Sequence, residues 1–144
     1  MKKNTNHERS RIDFDKYAIA AETGACSNFR RASGALTQMF DHALQPTGLR
    51  STQLIILLEI AVARHASASQ LARRLVMDPS TLARNLKLIM KPGWIKSKAS
   101  RSGRGQKIGL TSRGMKTVQK AVPLWEQSQT AFTKQLGERR WRTL

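Results

Sequence analysis

The chain contains one cysteine, Cys26, in 144 residues. No internal disulfide can form, and no Cys and His spacing of the kind that holds zinc is present. Long apolar runs are also missing. The longest, Leu54 to Ala63, is interrupted by Glu59 and falls short of the roughly 20 residues that a bilayer span needs. With no charged-then-apolar leader at the amino terminus, this points to a cytoplasmic protein with no membrane partner. Acids are scarce, 9 Asp and Glu against 26 Lys and Arg, for a formal charge of +17. The few acids, one cysteine and 3 histidines form no nucleophile–base set and no carboxylate pair. An enzyme is therefore not indicated, nor is a cofactor or a metal.

The shortage of acid is local as well as global. No Asp or Glu occurs between Asp78 and Glu126, a stretch that holds Arg84, Lys87, Lys91, Lys96, Lys98, Arg101, Arg104, Lys107, Arg113, Lys116 and Lys120. One third of the molecule thus carries a field of one sign, as a nucleic-acid partner requires.

Periodicity divides the chain into four parts. Residues 1–19 are polar and read as a flexible basic arm. Across 20–50, Phe29, Ala32, Leu36, Phe40 and Ala43 recur every three or four positions on one helix face, which Pro46 and Gly48 close. Over 51–111, a helix capped by Ser51 is apolar nearly all round, as a central core helix should be, and is followed by the elements treated next. Over 112–144, Val118, Val122, Trp125, Phe132 and Leu136 stripe a long helix that Pro123 should bend. The expected fold is mainly α with a small β-hairpin wing.

Ser67 with Gln70 forms a capping-box pattern, and Leu71, Ala72 and Leu75 give the buried side of a short helix. Val76 and Met77 make the turn. Asp78 then offers an N-cap carboxylate, and Pro79 suits the first helical position. On the second helix Leu82, Leu86 and Ile89 face the core, while Ser80, Arg84, Lys87 and Lys91 project outward, flanked by Thr81 and Asn85. Such a surface fits a recognition helix in a major groove; alone it would equally fit a solvated amphipathic helix. The context favours the former, because Gly93 ends that helix and a hairpin of the same sign follows. Its strands start at Trp94-Ile95 and return at Lys107-Ile108-Gly109-Leu110. Between them, Arg101 and Arg104 stand on a Gly- and Ser-rich tip narrow enough for a minor groove, or simply solvated.

In this order and spacing the residues resemble the MarR family of winged helix-turn-helix regulators, from about Cys26 to Leu136. Pro46-Thr47-Gly48-Leu49 with Gln53 is similar to the family's link into its second helix, and Asp78-Pro79-Ser80-Thr81-Leu82 with Arg84 to its recognition-helix start. Gly93-Trp94-Ile95 and Leu110-Thr111 with Gly114 resemble its wing strands and exit. The resemblance implies N- and C-terminal dimerisation helices, a homodimer on a palindromic operator in double-stranded DNA, and often release by a small-molecule effector or an oxidant. The DNA-binding set is then Ser80, Thr81, Arg84, Asn85, Lys87, Arg101, Arg104 and Lys107. Where the family's wing carries Asp-x-Arg, this chain has Ser102-Gly103-Arg104.

Cys26 has two readings. It lies near a helix start beside Arg30 and Arg31, which favours a thiolate and a redox sensor, and its position resembles the reactive cysteine of the family's peroxide-sensing branch. The tyrosines that bond that cysteine are matched here by Phe40 and Ser51. The other reading is a small, inert packing residue. For the protein as a whole, the alternative to a sequence-specific repressor is an architectural protein that binds nucleic acid through charge alone.

Overall fold

The computed structural model describes residues 13–99 and 106–143. Up to Leu36 the chain forms a unit of its own. In it, α1 (Phe14–Thr23) starts at Asp13, whose side chain accepts from the Lys16 N–H. Part of the stretch read as a flexible arm is therefore helix, and the helix expected from residue 20 is two helices. The break falls at Gly24, which turns to ψ 122° before α2 (Ala25–Leu44) begins. Gly has little to lose by leaving a helix.

The second unit, Thr37 onward, holds the core. A short 3₁₀ turn (Gln45–Thr47) ends at Gly48, with φ 73°. Next comes α3 (Ser51–Ala63), in which Leu54, Ile56, Leu57 and Ile60 are wholly buried. Its cap differs from expectation. Arg50 is the N-cap residue and Ser51 the first helical residue, because a carboxylate from elsewhere does the capping. Asp41 accepts the Ser51 N–H at 2.6 Å and the Ser51 hydroxyl at 2.7 Å, and pairs with the Arg50 guanidinium at 3.3 Å. The N-terminus of the core helix is thus satisfied by a side chain of α2.

The remaining elements are α4 (Ala68–Arg74), α5 (Pro79–Met90), β1 (Ile95–Ala99), β2 (Gln106–Leu110), α6 (Ser112–Leu136) and α7 (Glu138–Trp141). β1 and β2 pair antiparallel, with Ile95 opposite Leu110 and Ala99 opposite Gln106. Ala66 extends this ribbon by exchanging two backbone hydrogen bonds with Ile108, at 3.0 and 2.8 Å. α6 runs on through Pro123 and buries Val118 and Ala121. No helix among the described residues is long and apolar enough to cross a membrane.

Two aromatic pairs change how the terminal helices read. Phe40 stacks on Trp125 with centroids 6.2 Å apart, and Phe132 meets the edge of Trp141 at 6.0 Å. Phe40, Trp125 and Phe132 are half-buried and Trp141 remains 42 % exposed, so each pair covers its rings only in part. Phe29 is different: it is 70 % exposed.

Candidate nucleic-acid interface

The capping pattern at Ser67 forms as its spacing requires. Its hydroxyl accepts the Gln70 N–H at 3.2 Å, and Gln70 Oε1 accepts the Ser67 N–H at 2.9 Å. Only Leu71 of α4 is fully buried. The helix ends in a Schellman turn, with the Met77 N–H on Ala72 O at 2.9 Å and the Val76 N–H on Arg73 O at 3.3 Å. Val76 takes the left-handed position of that turn, φ 49°, where glycine is usual. It does so 93 % exposed, so no packing offsets the strain.

Asp78 then opens α5. Its Oδ1 accepts the Ser80 N–H, the Thr81 N–H and the Ser80 hydroxyl. These bonds, the Ser80 hydroxyl first, hold the Asp78 carboxyl below the ordinary carboxylate value, and the charge of Arg84 adds to the effect. Asp78 is the acid at the edge of the basic stretch, and the cap already occupies it. Leu82, Leu86 and Ile89 are buried, as their phase predicts. Each contributes about 1.5–3 kcal/mol by burial, which fixes the rotation of the helix.

The outward face is less uniform than its sequence suggests. Arg84 and Lys87 are exposed, and no hydrogen bond or ion pair engages either side chain among the described residues. Ser80 is committed to the cap. Asn85 is half-buried, and its amide donates to Thr81 O at 2.9 Å. It keeps its carbonyl oxygen for an outside donor. Thr81 is exposed beside them. Arg84 and Lys87 are thus the freest members of the set, with Ser80 and Asn85 partly occupied by the helix itself.

On the hairpin, the register reveals what spacing could not. Lys98 stands directly opposite Lys107, and Lys96 opposite Gly109. Cross-strand partners share a face, so three lysines lie on one side of the ribbon, while Ile95 and Ile108 are buried on the other. Like charges in direct opposition destabilise a hairpin unless an anion lies between them. Sequence placed Lys107 in the DNA-binding set but not Lys96 or Lys98, since partners are known only once the register is. Arg101 and Arg104 lie outside the described residues.

The hairpin leaves through a tight joint with α6. The Thr111 hydroxyl donates to Gly93 O at 2.6 Å and accepts the Gly114 N–H at 3.0 Å, and the Thr111 N–H bonds Trp94 O at 3.0 Å. One residue therefore ties the end of the recognition helix, the wing and α6 together.

Cys26 is the second residue of α2 and is exposed, so it is not a packing residue in this chain. Of the two cations near it, the Arg31 guanidinium bonds Glu22 O at 3.2 Å and Asn28 Oδ1 at 2.7 Å.

Residues 47–104 match the model of the MarR family. The transcriptional regulator MosR of M. tuberculosis, solved in complex with DNA, is 37 % identical, with a TM-score of 0.75 over 83 % of this chain and 89 % of that one. The chain belongs to the MarR family. MosR solved without DNA gives 35 % identity and a TM-score of 0.76 over 86 % and 92 % of the two chains. A cysteine-to-serine variant of MarR from E. coli, complexed with operator DNA, shares the fold at 19 % identity, with a TM-score of 0.78 over 87 % and 91 %. No curated protein matches the chain. The protein is accordingly a DNA-binding transcriptional regulator with a winged helix-turn-helix, in which α4 and α5 are the helix pair and β1–β2 the wing.

Proposed function

We propose that this regulator is a repressor that binds a palindromic operator as a homodimer, with α5 in the major groove of each half-site. Arg84 reads a base edge there, flanked by Ser80, Thr81, Asn85 and Lys87. Lys107, facing Lys98 across the wing, holds backbone phosphate, and Arg101 and Arg104 at the wing tip enter the minor groove. The observation that carries this reading is uncompensated charge of one sign on two adjoining elements. The outer face of α5 and one face of the hairpin are basic, and the nearby Asp78 is consumed in a cap.

The homodimer is supported by a different observation. Phe14, Tyr17, Ile19 and Phe29 of the first unit are each more than 60 % exposed. So many large apolar side chains on two helices suit a surface that a second copy covers. Release by a small ligand or an oxidant belongs to the same reading; exposed Cys26 is the oxidisable group.

The test selects genomic fragments with the purified protein and measures affinity for the selected and scrambled duplexes. Arg84→Ala should weaken the selected site by about 1–3 kcal/mol and blur the preference, while Lys107→Ala should weaken both duplexes alike. A uniform loss for Arg84→Ala would make it a phosphate clamp. Equal wild-type affinity for both duplexes would point instead to a non-specific architectural protein. Sedimentation of a monomer at micromolar concentration, with one copy per duplex, would remove the dimer.

A further inference from the structure

We propose that the open concavity between α4 and the link that joins it to α3 is an oxyanion site, which takes a phosphate group either from the DNA backbone or from a free anion. The concavity has a volume of about 360 Å³, and its lining includes His65, Gln70, Arg73 and Arg74. None of these residues belongs to the recognition helix.

The local backbone is built to present His65. Arg64 takes a left-handed φ of 58°, the His65 N–H turns back to Ala63 O, and Ala66 is pinned to Ile108 by two hydrogen bonds. This lays the imidazole on Gly109 of β2. A Cβ there would stand 2.9 Å from His65 Nδ1, so only glycine admits the ring at this distance. Gly109 lies opposite Lys96 and two residues from Lys107, on the lysine face of the ribbon. His65 therefore continues that basic face toward α4.

The donors on the α4 side are available. Gln70 Oε1 is taken by the Ser67 N–H and hydroxyl, which leaves its amide nitrogen as the group free to donate. Arg74 is paired with Glu59, so its charge is already balanced. Arg73 is exposed, and neither its guanidinium nor the His65 imidazole has a hydrogen bond or ion pair among the described residues. An amide N–H, an imidazole and an unpaired guanidinium around one opening match the donor needs of a phosphate group.

Two arms separate the sources, and only the duplex arm rests on the DNA-binding reading. In the first, inorganic phosphate is titrated into the full chain without DNA, and the His65 imidazole is followed by NMR. In the second, duplex affinity is measured across salt concentrations. Each is repeated with Arg73→Ala and with Lys116→Ala, an exposed cation of α6. A free-oxyanion site gives a saturable His65 shift that Arg73→Ala abolishes and Lys116→Ala keeps. A backbone-phosphate site lowers the slope of log affinity against log salt by about 0.9 in Arg73→Ala alone. The proposal is overturned if Arg73→Ala changes neither readout, or if Lys116→Ala changes them equally. A wild-type chain that binds no duplex would sink the DNA reading and leave the phosphate arm readable.

Discussion

Gly114 is the position where a single methyl group should do most damage. It is buried in the first turn of α6, and a Cβ built on it would lie 1.9 Å from the Trp94 carbonyl oxygen and 2.8 Å from the carbonyl carbon. Ordinary contact needs more than 3 Å, so helix and wing must separate by over about 1 Å. The obstacle is backbone, which cannot rotate aside as a side chain would. Nor can α6 simply retreat, since Val118 and Ala121 are packed in the core further along it. Overpacking of this kind costs up to about 3 kcal/mol. Loosening the Thr111 cap, whose hydroxyl bonds both Gly93 O and the Gly114 N–H, adds about 1 kcal/mol. The better helix propensity of alanine returns about 1 kcal/mol. Gly114→Ala should therefore destabilise by about 3 kcal/mol, or lower the melting temperature by roughly 10 °C in a chain of this size. The control is Gly34→Ala in α2, which meets nothing within 4 Å and should gain up to about 1 kcal/mol. Both are read by thermal unfolding at matched protein concentration. If Gly114→Ala melts within about 2 °C of wild type, the tight joint between wing and α6 is not what holds the wing.

Other perturbations address other joints. Asp41→Ala removes three bonds to the start of α3 and should cost about 2 kcal/mol by urea unfolding, as for a half-buried charged acceptor; a loss below about 0.5 kcal/mol would show that water caps α3 as well. Val76→Gly should stabilise by up to about 1 kcal/mol, because it relieves a left-handed β-branched residue whose side chain is solvated; a destabilised variant would mean that Val76 packs against something in solution. Asp78 has a lowered carboxyl pKa, so its contribution is fully present above the unfolded value of 3.8 and is lost as pH falls through the lower folded value. A carbon-detected NMR titration of Asp78 with a midpoint at or above 3.8 would contradict the cap.

What could be read from the sequence was whatever acts over one turn of chain. The caps at Ser67 and Asp78 form as their spacings demand, because a side chain three residues from a free N–H can reach it whatever the remainder of the fold does. The buried phase of Leu82, Leu86 and Ile89 follows from the helical repeat, and the basic stretch after Asp78 from composition alone. These local facts were enough to indicate the fold, and they placed Arg84 and Lys87 on the outer face.

Tertiary structure decided whatever joins distant residues. Ser51 looked like a cap, but Asp41, ten positions earlier, supplies the acceptor once α2 and α3 meet. Phe40 and Trp125 each read only as part of a helix stripe, and the fold is what stacks one on the other. The opposition of Lys98 and Lys107 exists only in the strand register, and the seat of His65 on Gly109 only in the bridge from Ala66 to Ile108. No local rule could reveal these contacts, because each depends on which of many non-local pairings the buried core selects. Cys26 belongs here too: as the single cysteine it ruled out an internal disulfide, but only the fold showed the thiol to be exposed.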